Sequence, residues 1–225
     1  MDNALKPAVS GWQDRLCQIY GLEAVLDAAA FVVNDLKRAA LLDALGLSAA
    51  SLGREALLLT ESEGELCLAL LLDDSICAAD VTDDHSLDPA CALIEGISHL
   101  VYVLHRADRG RPVSRLELEL QAEVDKFLCT WVSRHELGFP VTARVLVRRL
   151  FDDWHLSGHV DADEHDRYRA ANRLGARYCR WLVAVYFERG RVDEMFPELR
   201  RFWRMGQSEK IAHIESRRFP TRHAA

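Results

Sequence analysis

Glu95 and His99 stand four residues apart in an apolar stretch that begins at Asp88-Pro89. A second segment, Leu116-Glu-Leu-Glu-Leu-Gln-Ala-Glu-Val-Asp125, follows it. Residues at i and i+4 share a helix face, so two such helices packed together would converge Glu95, His99, Glu119 and Glu123. One imidazole with two or three carboxylates is a ligand set that zinc, manganese or iron accepts, and an open coordination position would activate water. Without a metal, the same groups form structural contacts: His99 with Glu123 between the helices, or Glu95 with His99 along one helix.

The helices that must carry these groups are legible. Asp88 and Pro89 read as an N-cap and a first helical position, opening a helix that runs to about Arg106. On its wheel, Leu93, Ile94, Ile97, Leu100, Val101 and Leu104 form one side, and Glu95, His99, Tyr102 and Arg106 the other. That second side is either solvent-facing or the wall of a cleft covered by another element. Ser114 and Glu117 make a capping-box pattern, which predicts a long helix to about Glu136. Its core stripe is Leu116, Leu120, Val124, Phe127 and Trp131. Glu123 falls at the edge of that stripe, Glu119 lies further out on the same flank, and Asp125 points away. Glu117 is assigned to the cap, so Glu123 is the expected partner of His99.

A helix carrying Glu and His, followed about 20 residues later by a further Glu, is distantly similar to the layout of zincin peptidases. This chain departs from that motif at position 95, which is Glu where the motif has its first His. It departs again at position 96, which is Gly where the motif has its general-base Glu. A mechanism implied by that resemblance would lack its base.

Three other groups invite a functional reading. Arg169, Arg173, Arg177 and Arg180 line one side of a predicted helix from about 162 to 188. Guanidinium groups at that spacing can grip phosphate or carboxylate, including the acidic N-terminal half of this chain. Arg106 is a candidate contact for substrate charge. His155, His159 and His165, with Asp161 and Asp163, crowd a loop-like segment that could hold a metal or simply cap a helix. No P-loop, GxGxxG fingerprint or GxSxG elbow occurs in the sequence.

The chain has 225 residues, of which 49% are hydrophobic, enough for one large core or two small ones. Its six cysteines are scattered singly and are read as reduced, buried thiols of a cytoplasmic protein. No signal peptide is evident, and the longest apolar run, Leu66 to Leu72, is far shorter than a membrane span, so no membrane role is expected. Residues 1–140 carry 11 basic against 23 acidic groups and residues 141–225 carry 17 against 12, giving −12 and +5. An acidic body makes nucleic acid an unfavoured partner.

Helical spacing from Trp12 to Leu45 predicts two helices broken near Gly21. Two apolar runs around a turn at 61–65 predict a β-hairpin. The expected fold is α+β and predominantly helical, with N-terminal helices and a hairpin over 1–80 and a multi-helix part over 81–225, as two subdomains or one continuous domain. The expected function is a binding or regulatory protein that engages a protein partner, or a second copy of itself, through its charge-polarised helical surface. The alternative is a metal-dependent, hydrolase-like enzyme with zinc, manganese or iron at the His/Glu site. A third reading is anion or nucleic-acid binding by the arginine stripe.

Overall fold

The computed structural model describes residues 2–23, 26–33, 35–47, 53–62, 65–76, 79–139, 142–153 and 161–219. It is predominantly helical with one small sheet, as the sequence patterning requires. Helix α1 (Asp2–Tyr20) stops at Gly21, whose φ of 62° is a left-handed conformation that glycine adopts at little cost. A 3-10 turn (Ala28–Phe31), capped by the Asp27 carboxylate on the Ala29 amide, leads into the short strand β1 (Val32–Val33) and helix α2 (Asp35–Leu45). Strands β2 (Glu55–Ser62) and β3 (Glu65–Leu72) form the expected hairpin. The sheet order is β1-β3-β2, with β1 parallel to β3.

Helix α3 (Leu87–Ala107) starts at Ser86 rather than Asp88. Asp88 therefore sits in the first turn, where its charge still faces the positive helix end, and Pro89 also lies in the first turn, where a missing N–H costs nothing. By length and apolar composition α3 could cross a membrane (mean hydropathy 1.4), but 67% of that window is buried inside the protein, as for a core helix. Helix α4 (Arg115–Glu136) begins at Ser114, whose hydroxyl accepts the Glu117 amide at 3.1 Å. The predicted boundaries of α4 hold.

Helix α5 (Ala143–Phe151) is followed by α6 (Ala162–Leu182), which opens on an Asp161 cap and continues into a π turn (Val183–Phe187) within the predicted span. Helices α7 (Met195–Arg204) and α8 (Gln207–Ser216) close the chain. Helix α4 is central and packs against both α3 and α6. A single cluster of buried apolar side chains runs from Leu5 to Ile214 and takes members from both the 1–80 and 81–225 segments.

Two glycines set how closely the neighbours approach. A Cβ on Gly175 of α6 would lie 2.9 Å from Glu123 Cβ, so the bare backbone lets α6 close over α4 at that point. A Cβ on Gly96 of α3 would lie 3.1 Å from both Glu55 Oε2 and Leu70 Cδ1, so the hairpin settles onto α3 there. The expectation of uniformly buried thiols is corrected at Cys67, which is exposed on β3. Cys129 and Cys179 are buried, Cys17 and Cys91 are half-buried, and Cys77 lies outside the described residues.

Candidate metal centre

The face of α3 that the wheel set opposite the core is itself covered. Tyr102 is fully buried, and His99 and Arg106 are 8% and 6% exposed. The hairpin closes this face near Gly96, and α6 brings Arg167 to Glu119 on α4. Of the two alternatives left by the sequence, the covered wall is the one observed.

Within it, one ligand atom each from Glu95, His99 and Glu119 lies within 4.8 Å of the others. His99 Nε2 is 3.5 Å from Glu119 Oε2, inside ion-pair range but without hydrogen-bond geometry, and it has no hydrogen-bond partner among the described residues. Burial lowers the His99 pKa, yet the carboxylates of Glu119, Glu55 and Glu95 outweigh it and raise it to about 9. The partner of His99 is therefore Glu119 and not Glu123. Glu123 turns instead to Lys126, whose Nζ lies 3.0 Å from Glu123 Oε1 and 3.0 Å from Glu95 Oε2. An i,i+3 cation on the same helix reaches Glu123 more readily than an imidazole on the neighbouring helix can.

Sequence reasoning missed three contributors. Glu55, the first residue of β2, places its Oε2 over Gly96. That oxygen is buried and has no hydrogen-bond partner among the described residues. Burial and then the negative field of Glu95 push the Glu55 carboxyl up to about 8. Lys126 was one position beyond the acidic segment and carries the charge that holds two of its acids. Burial works to lower the Lys126 pKa, and Glu123 and Glu95 raise it well above the ordinary lysine value. Arg167 of α6 has its Nε 3.8 Å from Glu119 Oε1 and its Nη2 3.2 Å from Glu164 Oε1. Four carboxylates (Glu55, Glu95, Glu119, Glu123) thus meet three basic side chains (His99, Lys126, Arg167), drawn from β2, α3, α4 and α6.

The remaining candidates fall elsewhere. Arg106 packs over the Tyr102 ring, with its guanidinium carbon 5.9 Å from the ring centroid, and donates to the Pro112 carbonyl at 2.9 Å. It also lies 3.6 Å from Glu117. Glu117 does not return to the Ser114 amide as a full capping box would. Its carboxylate accepts the Tyr102 hydroxyl at 2.6 Å and the Gln207 amide at 3.0 Å. Asp125, expected to point away, is fully buried and accepts from the Tyr20 hydroxyl, the Ser98 hydroxyl at 2.5 Å and Gln121 Nε2 at 2.9 Å.

The arginine stripe divides. Arg177 donates to the carbonyls of Ile214 and Glu215 at the end of α8, and Arg180 pairs with Asp152 at the end of α5. Neither reaches the acidic N-terminal half. Arg169 and Arg173 are exposed. His155 and His159 lie outside the described residues. Among the described residues His165 pairs with its neighbour Asp166 at 3.8 Å, the imidazole half-buried and the carboxylate in solvent, and Asp161 is the α6 cap.

The carboxylate and imidazole donors suit a divalent first-row cation, for which a lone buried imidazole nitrogen facing two carboxylates is a natural seat. Comparison with protein-family models, with curated proteins and with solved structures finds no match for this chain.

Proposed function

We propose that this protein binds a divalent cation at Glu95, His99 and Glu119 and uses it in hydrolase-like chemistry. The observation that carries the reading is His99: nine-tenths buried, its Nε2 ion-paired with Glu119 at 3.5 Å but without a hydrogen bond among the described residues, and one ring nitrogen held within 4.8 Å of carboxylate oxygens of Glu95 and Glu119 on two helices. A cation bound here would displace the proton that the surrounding carboxylates favour on His99 and would take up the Glu95 and Glu119 charges in its place. Zinc, manganese and iron accept one nitrogen with two or three oxygens. A cation so held would leave a coordination position for water and would supply a hydroxide or polarise a substrate carbonyl or phosphoryl oxygen.

The test is elemental analysis of untagged protein, followed by melting with added zinc or manganese. Stoichiometric metal, and a melting temperature that rises with added cation in the native chain but not in His99→Ala, is expected. Absence of metal together with an unchanged melting temperature would remove the basis of the reading.

A second reading, engagement of a protein partner through the arginine face of α6, draws support from all four arginines being exposed, with Arg177 and Arg180 paired to other groups of this chain and Arg169 and Arg173 left to meet solvent. Charge reversal at Arg169 and Arg173 should abolish co-purification of any bound protein, and unchanged recovery would discard that surface.

A further inference from the structure

Resting on the metal reading above, we infer that Glu55 is a further ligand for the same cation, so that metal loading fastens the β2–β3 hairpin onto α3 and α4. Glu55 opens β2 and lies opposite Leu72 of β3, at the end of the hairpin where Leu70, Leu71 and Leu72 are fully buried. The other end of the hairpin is open: Leu59 is 46% exposed, and Leu66 and Cys67 are exposed as well. The hairpin is therefore anchored at one end, and Glu55 is the acidic side chain at that anchor.

The packing of Glu55 is unusual for a carboxylate. It lies over the backbone of α3 at Gly96, between the positions that carry Glu95 and His99, where a Cβ would come within 3.1 Å of Oε2 and 3.4 Å of Glu55 Cβ. A side chain there would require the Glu55 carboxyl and Leu70 to give by a few tenths of an ångström. Its Oε2 is buried and has no hydrogen-bond partner among the described residues, while the charged groups around it are Glu95, His99, Glu119 and Lys126. Buried polar groups are paired in folded proteins, and a carboxylate set among other carboxylates needs a cation or a proton. Glu55 Oε2 on β2 and His99 Nε2 on α3 are both buried without a hydrogen-bond partner among the described residues, and although Glu55 stands outside the group of atoms within 4.8 Å, a divalent ion that drew its carboxyl toward Glu95, His99 and Glu119 would satisfy both. The resulting set of one nitrogen and three carboxylates would close a tetrahedral zinc site, but leaves positions open for water on six-coordinate manganese or iron.

The inference is tested on the full chain by titration with Zn2+ and Mn2+ in a calorimeter and by hydrogen exchange of peptides covering 55–72, with and without cation. The native chain should bind, and its hairpin amides should exchange at least about tenfold more slowly when loaded. Glu55→Gln, which matches the size of the acid, should bind about 10–100-fold more weakly and lose the metal-dependent hairpin protection. Gly96→Ala, which keeps Glu95, His99 and Glu119 and makes the Glu55 carboxyl give by a few tenths of an ångström, should weaken binding and hairpin protection in the same direction but less than Glu55→Gln, and it separates a shift of the carboxyl from loss of its charge. If both variants bind as the native chain does and keep its hairpin protection, Glu55 is not a ligand and the three-residue site stands without it. If the native chain binds neither cation, the metal reading and this extension fall together.

Discussion

Lys126 and Glu95 join α4 to α3 through a contact of 3.0 Å made inside the acidic cluster. The same ammonium holds Glu123 at 3.0 Å, so one cation keeps two buried carboxylates from repelling each other. Removing one partner of a buried pair costs more than the pair contributes, because the charge left behind is unpaired, typically about 3–5 kcal/mol. Lys126→Met should therefore lower unfolding free energy in urea by that order. A cation at Glu95, His99 and Glu119 would then compensate, so saturating manganese should stabilise the variant more than it stabilises the native chain. Equal stabilisation of the two would mean that Lys126 and the cation do not share Glu95.

Gly175 provides a case in which two effects of opposite sign compete. Alanine in a helix interior gains up to about 1 kcal/mol over glycine from propensity. Here the added Cβ would stand 2.9 Å from Glu123 Cβ, a backbone-anchored atom that cannot swing away, and overpacking of this kind costs about 1–3 kcal/mol. Packing should win. Gly175→Ala is expected to lower the urea midpoint, and a raised midpoint would show that α4 and α6 can part without cost.

Helix positions were readable because periodicity and caps are local properties: Ser114 fixes the start of α4, and Gly21 ends α1. The convergence of Glu95, His99 and Glu119 was readable in outline for the same reason, since i,i+4 spacing selects a face. What covers that face was not. Nothing local to Glu55 links it to Gly96, forty-one positions away in sequence, and the only sequence trace is a glycine within an otherwise well-formed helix. Asp125 was misplaced for a related reason. A wheel ranks a residue by polarity, and Asp125 is buried by partners from α1 and α3, Tyr20 and Ser98, that no wheel of α4 contains. His99 meets Glu119 and not Glu123 because Lys126, one residue beyond the acidic segment, takes Glu123.

The arginines of α6 should separate by role when truncated singly. Arg177 donates to the carbonyls of Ile214 at 3.2 Å and Glu215 at 3.3 Å, capping groups that the end of α8 leaves open. Arg177→Ala should cost about 0.5–1.5 kcal/mol and speed hydrogen exchange within 207–216. Arg173→Ala, at an exposed site on the same face, should change stability by less than about 0.5 kcal/mol. Equal effects at the two positions would contradict the division of the stripe.

Lys210 supplies a pH signature of its own. It is fully buried on α8, donates to Gln121 Oε1, and lies 4.4 Å and 4.9 Å from the ring centroids of Tyr102 and Phe202. Those rings favour the charged amine, as do Glu117 and Asp125, but burial dominates and lowers the pKa to about 7. In the unfolded chain a lysine titrates near about 10.4. Between those two values the unfolded chain holds the proton and the folded chain does not. The contribution of Lys210 to stability therefore rises with pH from about 7 toward 10 and is flat below 7. His99, raised to about 9, acts in the opposite sense, stabilising at low pH and losing that contribution as pH rises through its folded value. A comparison with Lys210→Met cancels His99, because both proteins carry it. The difference in unfolding free energy between native and Met chains should shift toward the native chain by on the order of 3 kcal/mol between pH 7 and 9.5. A difference independent of pH would mean that Lys210 stays protonated in its buried position.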